Sequence, residues 1–244
     1  RNNGLGKEVL AFLLVPPVHA GANKDFLHNL ELPYQAVTST DLYLTHYLND
    51  SANDPVMNRI RAQKLRNSEE DKVKIFFVPS YLNGDDGVFN MPYYDLLVGM
   101  DLTAFPSYYE PWGYTPLESL AFKVPTITTT LAGFGLWVKE HYNMNHPGIE
   151  VIHREDGDAS NVATAIAEWV KNYTQVGETE MQKDRDNAKD VSRIALWDNL
   201  INYYKQAYTI ALNQVSERLK DLPANMNESV SYIEKQLTVK NPSW

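Results

Sequence analysis

Cysteine is absent from the 244 residues, so neither disulfides nor thiolate metal ligands can stabilise the fold. This composition fits a reducing compartment, and we expect a cytoplasmic protein. A basic excess is also missing, because 22 Lys and Arg stand against 31 Asp and Glu, a formal charge of −9. Phosphate backbones select clustered Lys and Arg, so we expect no nucleic-acid partner.

Long apolar runs are missing as well. The run from Val9 to Val15 is far below the roughly 20 residues that a membrane-spanning helix needs. Lys7 before it and the small residues at 19–22 imitate a secretory signal, but Glu8 and the Pro16-Pro17 pair argue against one. We expect a buried strand here and no membrane partner. No metal is expected either, since the six histidines show no ligand spacing on a shared helix face.

Short apolar runs alternate with longer amphipathic ones through the first part of the chain. Continuous apolar runs between helices are typical of parallel strands, and right-handed crossovers then give a doubly wound α/β lobe. Such sheets bind ligands beyond the carboxyl ends of their strands. The predicted strands are Val9 to Val15, Val73 to Val78, Leu102 to Phe105, Pro125 to Thr129 and Glu150 to His153. The predicted helices are Asp54 to Asn67, Met91 to Gly99, Thr115 to Phe122, Leu136 to Met144, Ala159 to Tyr173 and Glu178 to Lys189.

A different pattern begins at Val191, from which large apolar side chains recur three and four positions apart as far as Val215. This spacing forms one apolar stripe and predicts a helix over 191–220, about 40 Å long. We therefore divide the chain into an α/β lobe at 1–190, a long helix at 191–220 and a helical tail at 221–244. An exposed apolar stripe favours self-association, so we expect a homo-oligomer.

The most informative segment surrounds two carboxylates, Glu110 and Glu118. Thr115 can accept hydrogen bonds from the first-turn N–H groups of a helix, Pro116 suits the first helical position, and Glu118 completes a capping box. We therefore predict that a helix begins at Thr115. Its N-terminus carries partial positive charge, and Gly113 just upstream would let a diphosphate approach the backbone.

Glu110 lies outside that helix, between Tyr109 and Trp112. Its carboxylate could face positive charge developing on a sugar carbon, while the helix N-terminus stabilises a departing nucleoside diphosphate. The pattern alone leaves simpler interpretations open. Glu118 can be only a helix cap, and Trp112 and Tyr114 can be core or surface aromatics.

Tyr93 is a further candidate, near the start of the second predicted helix. Asn90 can cap that helix and Pro92 lies in its first turn, which would put Tyr93 near the rim of the sheet. The pattern alone favours a packed helical tyrosine over a ligand contact.

The segment from Phe105 to Glu118, with Gly-Phe-Gly at 133–135, resembles the donor-site signature of glycogen synthases of the fungal and animal type and their bacterial relatives. The resemblance implies the Rossmann-like C-terminal lobe of a glycosyltransferase-B fold, with 191–220 as the closing helix. It makes Glu110 the catalytic residue beside the transferred glucose and Glu118 a ligand of the nucleotide ribose. Tyr93 would stack on the base. The other implied substrate-binding residues are Trp112, Gly113, Tyr114 and Thr115.

The resemblance also implies an activity. In this family, glucose passes from a nucleotide-glucose donor to the 4-hydroxyl at the non-reducing end of an α-1,4-glucan, with retention at the anomeric carbon. We therefore expect a retaining glycosyltransferase without a cofactor, with UDP-glucose or ADP-glucose as donor and glycogen or another α-1,4-glucan as acceptor. An aromatic platform accepts either base, so the donor stays open. We expect a front-face displacement, in which the leaving diphosphate and the incoming hydroxyl share one side of the sugar.

Part of the family pattern is not present. The family binds the donor diphosphate with an Arg and a Lys in an Arg-Tyr-Glu-Phe and Asn-Lys-Gly pattern, upstream of the first strand seen here, and the sequence lacks both motifs. The acceptor-side domain is missing too, and the chain begins with Arg. We therefore expect a piece of a longer protein that is inactive alone. The rival functions are a non-catalytic glucan-binding or oligomerisation module and a related glycosyltransferase, starch-synthase-like or sucrose-forming.

Overall fold

A mixed α/β domain with parallel strands forms the larger part of the molecule, which confirms the predicted fold class. The chain divides into two compact units, residues 1–193 and 194–244. The computed structural model describes residues 4–16, 19–32, 42–142 and 148–220, together with Ser231 and Lys235. The predicted helical tail at 221–244 falls outside the described residues except for those two positions.

Strands and helices alternate along the chain. The strands are β1 (Val9–Leu14), β2 (His19–Ala22), β3 (His46–Leu48), β4 (Val73–Val78), β5 (Thr103–Ala104), β6 (Thr126–Thr129) and β7 (Ile149–Ile152). The helices are α1 (Lys24–Glu31), α2 (Pro55–Ala62), α3 (Tyr93–Val98), α4 (Tyr114–Ala121), α5 (Gly133–His141), α6 (Ala159–Tyr173), α7 (Glu178–Ile194), α8 (Trp197–Asn213) and α9 (Val215–Lys220).

The sheets are mostly parallel. β1 pairs with β4, with Val9 opposite Val73 and Leu14 opposite Val78. β5, β6 and β7 form a second parallel sheet in that order. All five predicted strands form close to their predicted ends, because each is a short run made mostly of apolar or β-branched residues. The antiparallel pair of β2 and β3 was not predicted, since both strands are short and each contains a histidine in place of a clear apolar alternation.

Two buried clusters fix the position of the strands. Met57 of α2 packs with Phe77 of β4, and both side chains are fully buried. Ile127 of β6 packs with Val162 of α6 in the second cluster. Burying a side chain of this size stabilises a fold by roughly 1.5–3 kcal/mol. The clusters therefore set where the carboxyl ends of β4 and β6 lie.

Helix ends differ from prediction more than helix positions do. The Asp54 carboxylate caps α2 by accepting from the Met57 N–H at 2.8 Å, and α2 ends at Ala62 and not at the predicted Asn67. Asn67 adopts a left-handed backbone, with φ 53°, and its side-chain amide exchanges two hydrogen bonds with the main chain of Ile75 in β4. The hydrogen bonds of the Asn67 side chain to β4 thus hold the chain in a non-helical conformation where the last helical turn was predicted.

The single helix predicted over 191–220 is wrong. α7 continues to Ile194, Leu196 is extended with ψ 150°, and α8 begins at Trp197 and α9 at Val215. Val191 is buried at the end of α7, whereas α8 has no buried residue. The apolar stripe therefore spans different helices, and spacing alone could not reveal the extended residue between them.

The described part of the chain contains neither a candidate membrane span nor a candidate metal site. None of the helices there combines the length and the apolar character needed to span a membrane. The same part of the chain contains no group of three or more His, Asp and Glu side chains placed to bind a metal ion.

Candidate donor site

The candidate residues follow the carboxyl ends of parallel strands. Residues 105–113 connect β5 to α4, and residues 130–132 connect β6 to α5. Because β5, β6 and β7 are parallel neighbours, these connections and the turn after β7 lie at one edge of their sheet. The segment from 79 to 92 follows β4 in the other sheet and leads into α3.

Glu110 has a fixed main chain and an exposed side chain. Its N–H donates to the Leu131 carbonyl at 3.1 Å, and its own carbonyl accepts from the Gly133 N–H at 3.0 Å. These bonds tie the segment after β5 to the connection after β6. The side chain is exposed and turns toward Gly113, since a Cβ built on that glycine would lie 3.3 Å from the Glu110 Cγ. The carboxylate is therefore accessible beside the start of α4.

The start of α4 corrects one prediction. The helix begins at Tyr114, its N-cap is Gly113 with φ 101°, and no side chain caps it. Thr115 is therefore not the cap, and the capping box with Glu118 does not form. Glycine reaches a left-handed backbone without steric cost, so the chain can turn into the helix here without a polar cap. The first-turn N–H groups of α4 therefore have no capping side chain. Tyr114 and Thr115 are both exposed at this end of the helix.

Glu118 and Tyr93 are brought together from separate helices. Burial is the main reason that the pKa of the Tyr93 phenol is raised, and the Glu118 charge is the next cause. The pKa of the adjacent Tyr94 is raised first by hydrogen bonding to the Glu118 carboxylate and then by its charge. Tyr94 also stacks on Phe122 with ring centroids 5.1 Å apart. The carboxylate of α4 thus lies beside the two tyrosines that begin α3.

Trp112 has a different environment. Its ring lies 5.6 Å from the ring of Phe134 and 5.7 Å from that of Trp137, centroid to centroid, and it is half-buried. The Phe134 N–H also donates to the Trp112 carbonyl at 2.7 Å. These contacts pack Trp112 against α5, whereas Tyr109 and Tyr114 on either side of it are exposed at 79% and 69%.

The glycines of the Gly-Phe-Gly segment allow two main chains to approach closely. A Cβ on Gly133 would collide with the carbonyl oxygen of Pro111, and one on Gly135 would collide with that of Thr129. Phe134 between them is fully buried. Both glycines therefore have a packing role: Gly133 lets α5 begin directly against the segment that contains Glu110, and Gly135 lets the same helix pack on the end of β6.

The segment before α3 depends on a buried histidine. His46 is fully buried, its Nε2 lies 2.9 Å from the Asp86 carbonyl oxygen, and its Nδ1 lies 2.8 Å from the Thr45 hydroxyl. The Asp86 carboxylate accepts from the N–H groups of the next turn, including that of Asn90 at 2.8 Å. Asn90 is thus not the cap of α3: its backbone is left-handed, with φ 51°, and the helix begins after Pro92.

Sequence reasoning missed two residues of this edge. Tyr94 follows Tyr93 directly, but nothing in the pattern shows that a carboxylate from α4 approaches it. Arg154 stands just past β7 and is only 4% exposed, with its Nη1 donating to the Pro106 carbonyl at 2.6 Å. Its position after a predicted strand was the one available signal, because strand ends are where ligand-binding edges form.

A Rossmann-like α/β domain is the class that this fold and edge define, with parallel strands whose connecting segments gather acidic and aromatic side chains. A family model of glycogen synthase matches residues 33–243. The chain therefore belongs to the glycogen synthase family, and the resemblance found in the sequence is confirmed.

Curated relatives agree with the family model. The chain is similar to glycogen [starch] synthase isoform 1 of Saccharomyces cerevisiae, at 31% identity over 194 residues, covering 75% of this chain and 27% of the yeast protein. It is similar to glycogen [starch] synthase of Caenorhabditis elegans, at 32% identity over 195 residues, 79% of this chain and 28% of the relative. For the liver enzyme of Rattus norvegicus, identity is 28% over 218 residues, 86% of this chain and 30% of the relative. The chain thus spans less than a third of the length of these relatives.

Proposed function

We propose that this chain is the donor-binding lobe of a glycogen synthase. The complete enzyme would transfer glucose from UDP-glucose or ADP-glucose to the 4-hydroxyl end of an α-1,4-glucan, with retention at the anomeric carbon. Nucleotide-glucose and glycogen are then its partners, self-association into a homo-oligomer accompanies the activity, and the cytoplasm is its location. Family membership supports the activity, and the candidate donor site supports the role of this lobe in that activity.

The single observation that supports the proposal best is that the Glu118 carboxylate lies near the Tyr93 phenol. The two residues come from different helices, and each has a nucleotide role in the family to which the chain belongs. An aromatic ring can stack on a base, and a carboxylate can accept hydrogen bonds from ribose hydroxyls. The pKa shifts of Tyr93 and Tyr94 both include the nearby Glu118 carboxylate among their causes. The proposal is that one nucleoside contacts both residues, with its base on Tyr93 and its ribose on Glu118.

Glu110 and the start of α4 suit the other half of the donor. The α4 N-terminus has no capping side chain, so its N–H groups and partial positive charge can stabilise the diphosphate as negative charge develops. The exposed Glu110 carboxylate lies beside Gly113 at this same helix start. In the proposed front-face displacement, Glu110 positions the glucose and stabilises the positive charge at its anomeric carbon, while the leaving diphosphate accepts the hydroxyl proton.

Calorimetric titration of the 244-residue chain with UDP, ADP and their glucose conjugates tests the proposal. A charge-assisted hydrogen bond to ribose is worth enough that Glu118→Ala should weaken nucleotide affinity by about tenfold or more. Glu168→Ala is the matched control, because Glu168 is an exposed glutamate on α6. Equal affinity of the Glu118→Ala variant and the control would contradict the ribose role.

A maltooligosaccharide titration separates the rival module. Binding of maltooligosaccharide without any nucleotide binding would favour the non-catalytic glucan-binding function and contradict the proposed one. Nucleotide binding with a preference for a sugar other than glucose would favour the related glycosyltransferase.

A further inference from the structure

Arg154 is a buried cation at the edge of the candidate site. It follows β7, and its side chain is 4% exposed. Buried arginines are nearly always paired with a carboxylate, because an uncompensated charge is costly to remove from water. Among the described residues, its guanidinium forms no such ion pair, and its buried Nε has no hydrogen-bond partner. A neutral side chain would fill this space with a smaller desolvation cost, so a buried arginine here requires an explanation.

The guanidinium contacts the segment that leads to Glu110. Its Nη1 donates to the carbonyl oxygens of Pro106 at 2.6 Å and Ser107 at 3.4 Å, and its Cζ lies 3.7 Å from the centroid of the Tyr108 ring. The planar group therefore contacts three consecutive residues at once. A lysine could place a charge here but could not offer the same flat, multidentate surface.

The Arg154 main chain is itself fixed. Its N–H donates to the Thr130 hydroxyl at 2.9 Å, and that hydroxyl donates to the Arg154 carbonyl at 3.3 Å. Thr130 directly follows β6, and its own N–H donates to the Ile152 carbonyl at 3.0 Å. The main chain of Arg154 is thus bonded to the carboxyl ends of two adjacent strands, β6 and β7.

The contacted segment has little other support between its ends. Main-chain bonds tie Phe105 to Ile127 and Glu110 to Leu131. Between them, the described tertiary contacts are those of Arg154 and a hydrogen bond from the Thr129 hydroxyl to the Ser107 carbonyl at 3.1 Å. Tyr108 and Tyr109 are otherwise largely exposed. Loss of the guanidinium would therefore free the residues immediately before Glu110.

We infer that Arg154 is a positioning residue for the donor's sugar: it holds residues 106–108 so that the Glu110 carboxylate lies where the glucose binds. This inference rests on the proposed function. It assigns Arg154 to the sugar end of the donor and not to the nucleotide end, where Glu118 and Tyr93 lie on other elements. Because catalytic and binding groups act through placement, small shifts of Glu110 would weaken sugar contacts strongly.

Hydrogen exchange of the 244-residue chain tests the positioning directly. In Arg154→Met, amides of peptide 105–113 should exchange on the order of tenfold faster, while peptides of β6 and β7 stay unchanged. Arg154→Lys should fall between, and Arg59→Met is the control, since Arg59 is an exposed arginine on α2. Unchanged exchange at 105–113, or equally faster exchange in the strands, would overturn the inference. If Arg154→Met does not fold, Tyr108→Leu removes the ring contact from an exposed position and should give the same local effect.

Titrations with a nucleotide and with its glucose conjugate give the functional readout. Arg154→Met should weaken binding of the nucleotide-glucose by about threefold to tenfold, while affinity for the free nucleotide stays unchanged. A residue with only a structural role would affect both ligands equally or neither, and either result would overturn the sugar-specific role. If the unmodified chain binds no nucleotide, the proposed function fails, and the exchange experiment still decides whether Arg154 positions the segment.

Discussion

Glu110 combines a main chain held by two hydrogen bonds with a carboxylate open to solvent. This combination suits a group that must meet a ligand in a fixed place, because the scaffold removes freedom from the backbone and leaves the side chain accessible. A purely structural glutamate at this position would have its carboxylate bonded to neighbouring groups.

We predict that Glu110→Gln lowers turnover on the order of 10²-fold while changing nucleotide affinity little, because in the proposed role the lost charge would act on the sugar in the transition state. Turnover is measured in a full-length glycogen synthase that contains this sequence. Nucleotide affinity is measured by calorimetry on the 244-residue chain. Parallel losses of turnover and nucleotide affinity would argue against the role.

His46 makes stability depend on pH. Burial lowers its pKa, a neighbouring His19 lowers it further, and the Asp86 carbonyl and carboxylate act in the opposite direction. A base with a lowered folded pKa binds protons more readily when unfolded, so its contribution to stability is complete above the unfolded pKa of about 6.5 and falls below it.

We therefore predict that the urea midpoint of unfolding decreases as pH falls from 7.5 toward 5.5, and that His46→Gln flattens this dependence. His28→Gln, at an exposed position of α1, serves as the control and should keep the original slope. An unchanged slope in the His46 variant would show that other groups cause the dependence.

Gly133 permits the closest main-chain approach at the site edge. We predict that Gly133→Ala lowers the free energy of unfolding by about 1–3 kcal/mol, because the added methyl group meets the Pro111 carbonyl oxygen and the backbone must move. Gly177→Ala is the matched control, with no atom within 4 Å of the added Cβ. The difference is measured by urea denaturation, and similar midpoints for the two variants would contradict the packing role.

At the scale of elements, α7 places a buried acid against the lobe. Asp184 is 5% exposed, and burial and then the neighbouring Glu180 raise its pKa, against a smaller opposite effect of Lys183. Burial and then Asp184 also raise the pKa of Tyr173 on α6 to about 12. An acid with a raised folded pKa destabilises the fold once it is ionised, so stability decreases as pH rises from the unfolded pKa through the folded one.

We predict that Asp184→Asn increases the free energy of unfolding at pH 7, and that the gain disappears below about pH 3.8, where the carboxyl group is protonated in both states. Denaturation across that pH range measures the effect. Asp156→Asn, at an exposed turn, is the control and should change little. A loss of stability on Asp184→Asn would mean that the ionised carboxylate is needed.

The elements also show what sequence could and could not predict. Strands such as β4 were predictable because their apolar runs are long enough to identify without tertiary information. The start of α4 was misplaced because its cap is the backbone of Gly113, which leaves no polar side chain to mark it. Arg154 was missed for a related reason: its partners are carbonyl oxygens and a ring nearly 50 residues earlier, contacts that no local pattern encodes.

At the scale of the whole molecule, α8 is notable for its exposed apolar side chains. It has no buried residue, and its exposed aromatic and aliphatic side chains include Trp197, Tyr208 and Leu212, each at 58% or more. The Trp197 and Tyr204 rings lie 5.1 Å apart, and Tyr208 continues the row. Apolar surface of this kind favours association between molecules.

We predict concentration-dependent self-association of the chain, weakened by the double change Trp197→Ser and Tyr208→Ser on α8. Sedimentation velocity over a wide concentration range measures it. Tyr81→Ser is the control, because Tyr81 is an exposed tyrosine in the larger unit. A monomer at every concentration, or equal weakening by the control, would show that α8 does not provide the contact.

The pairing of the strands has a practical consequence for the isolated polypeptide. Among the described residues, β1 pairs only with β4, and β5 pairs only with β6, so each leaves one flank of backbone donors and acceptors without a strand partner. β1 is six residues of uninterrupted apolar sequence with Leu10 facing solvent. Such a flank can recruit the same flank of another molecule and grow into insoluble fibres. The time for which the purified polypeptide stays in solution will therefore depend on whether the unpaired flank of β1 is shielded from other molecules.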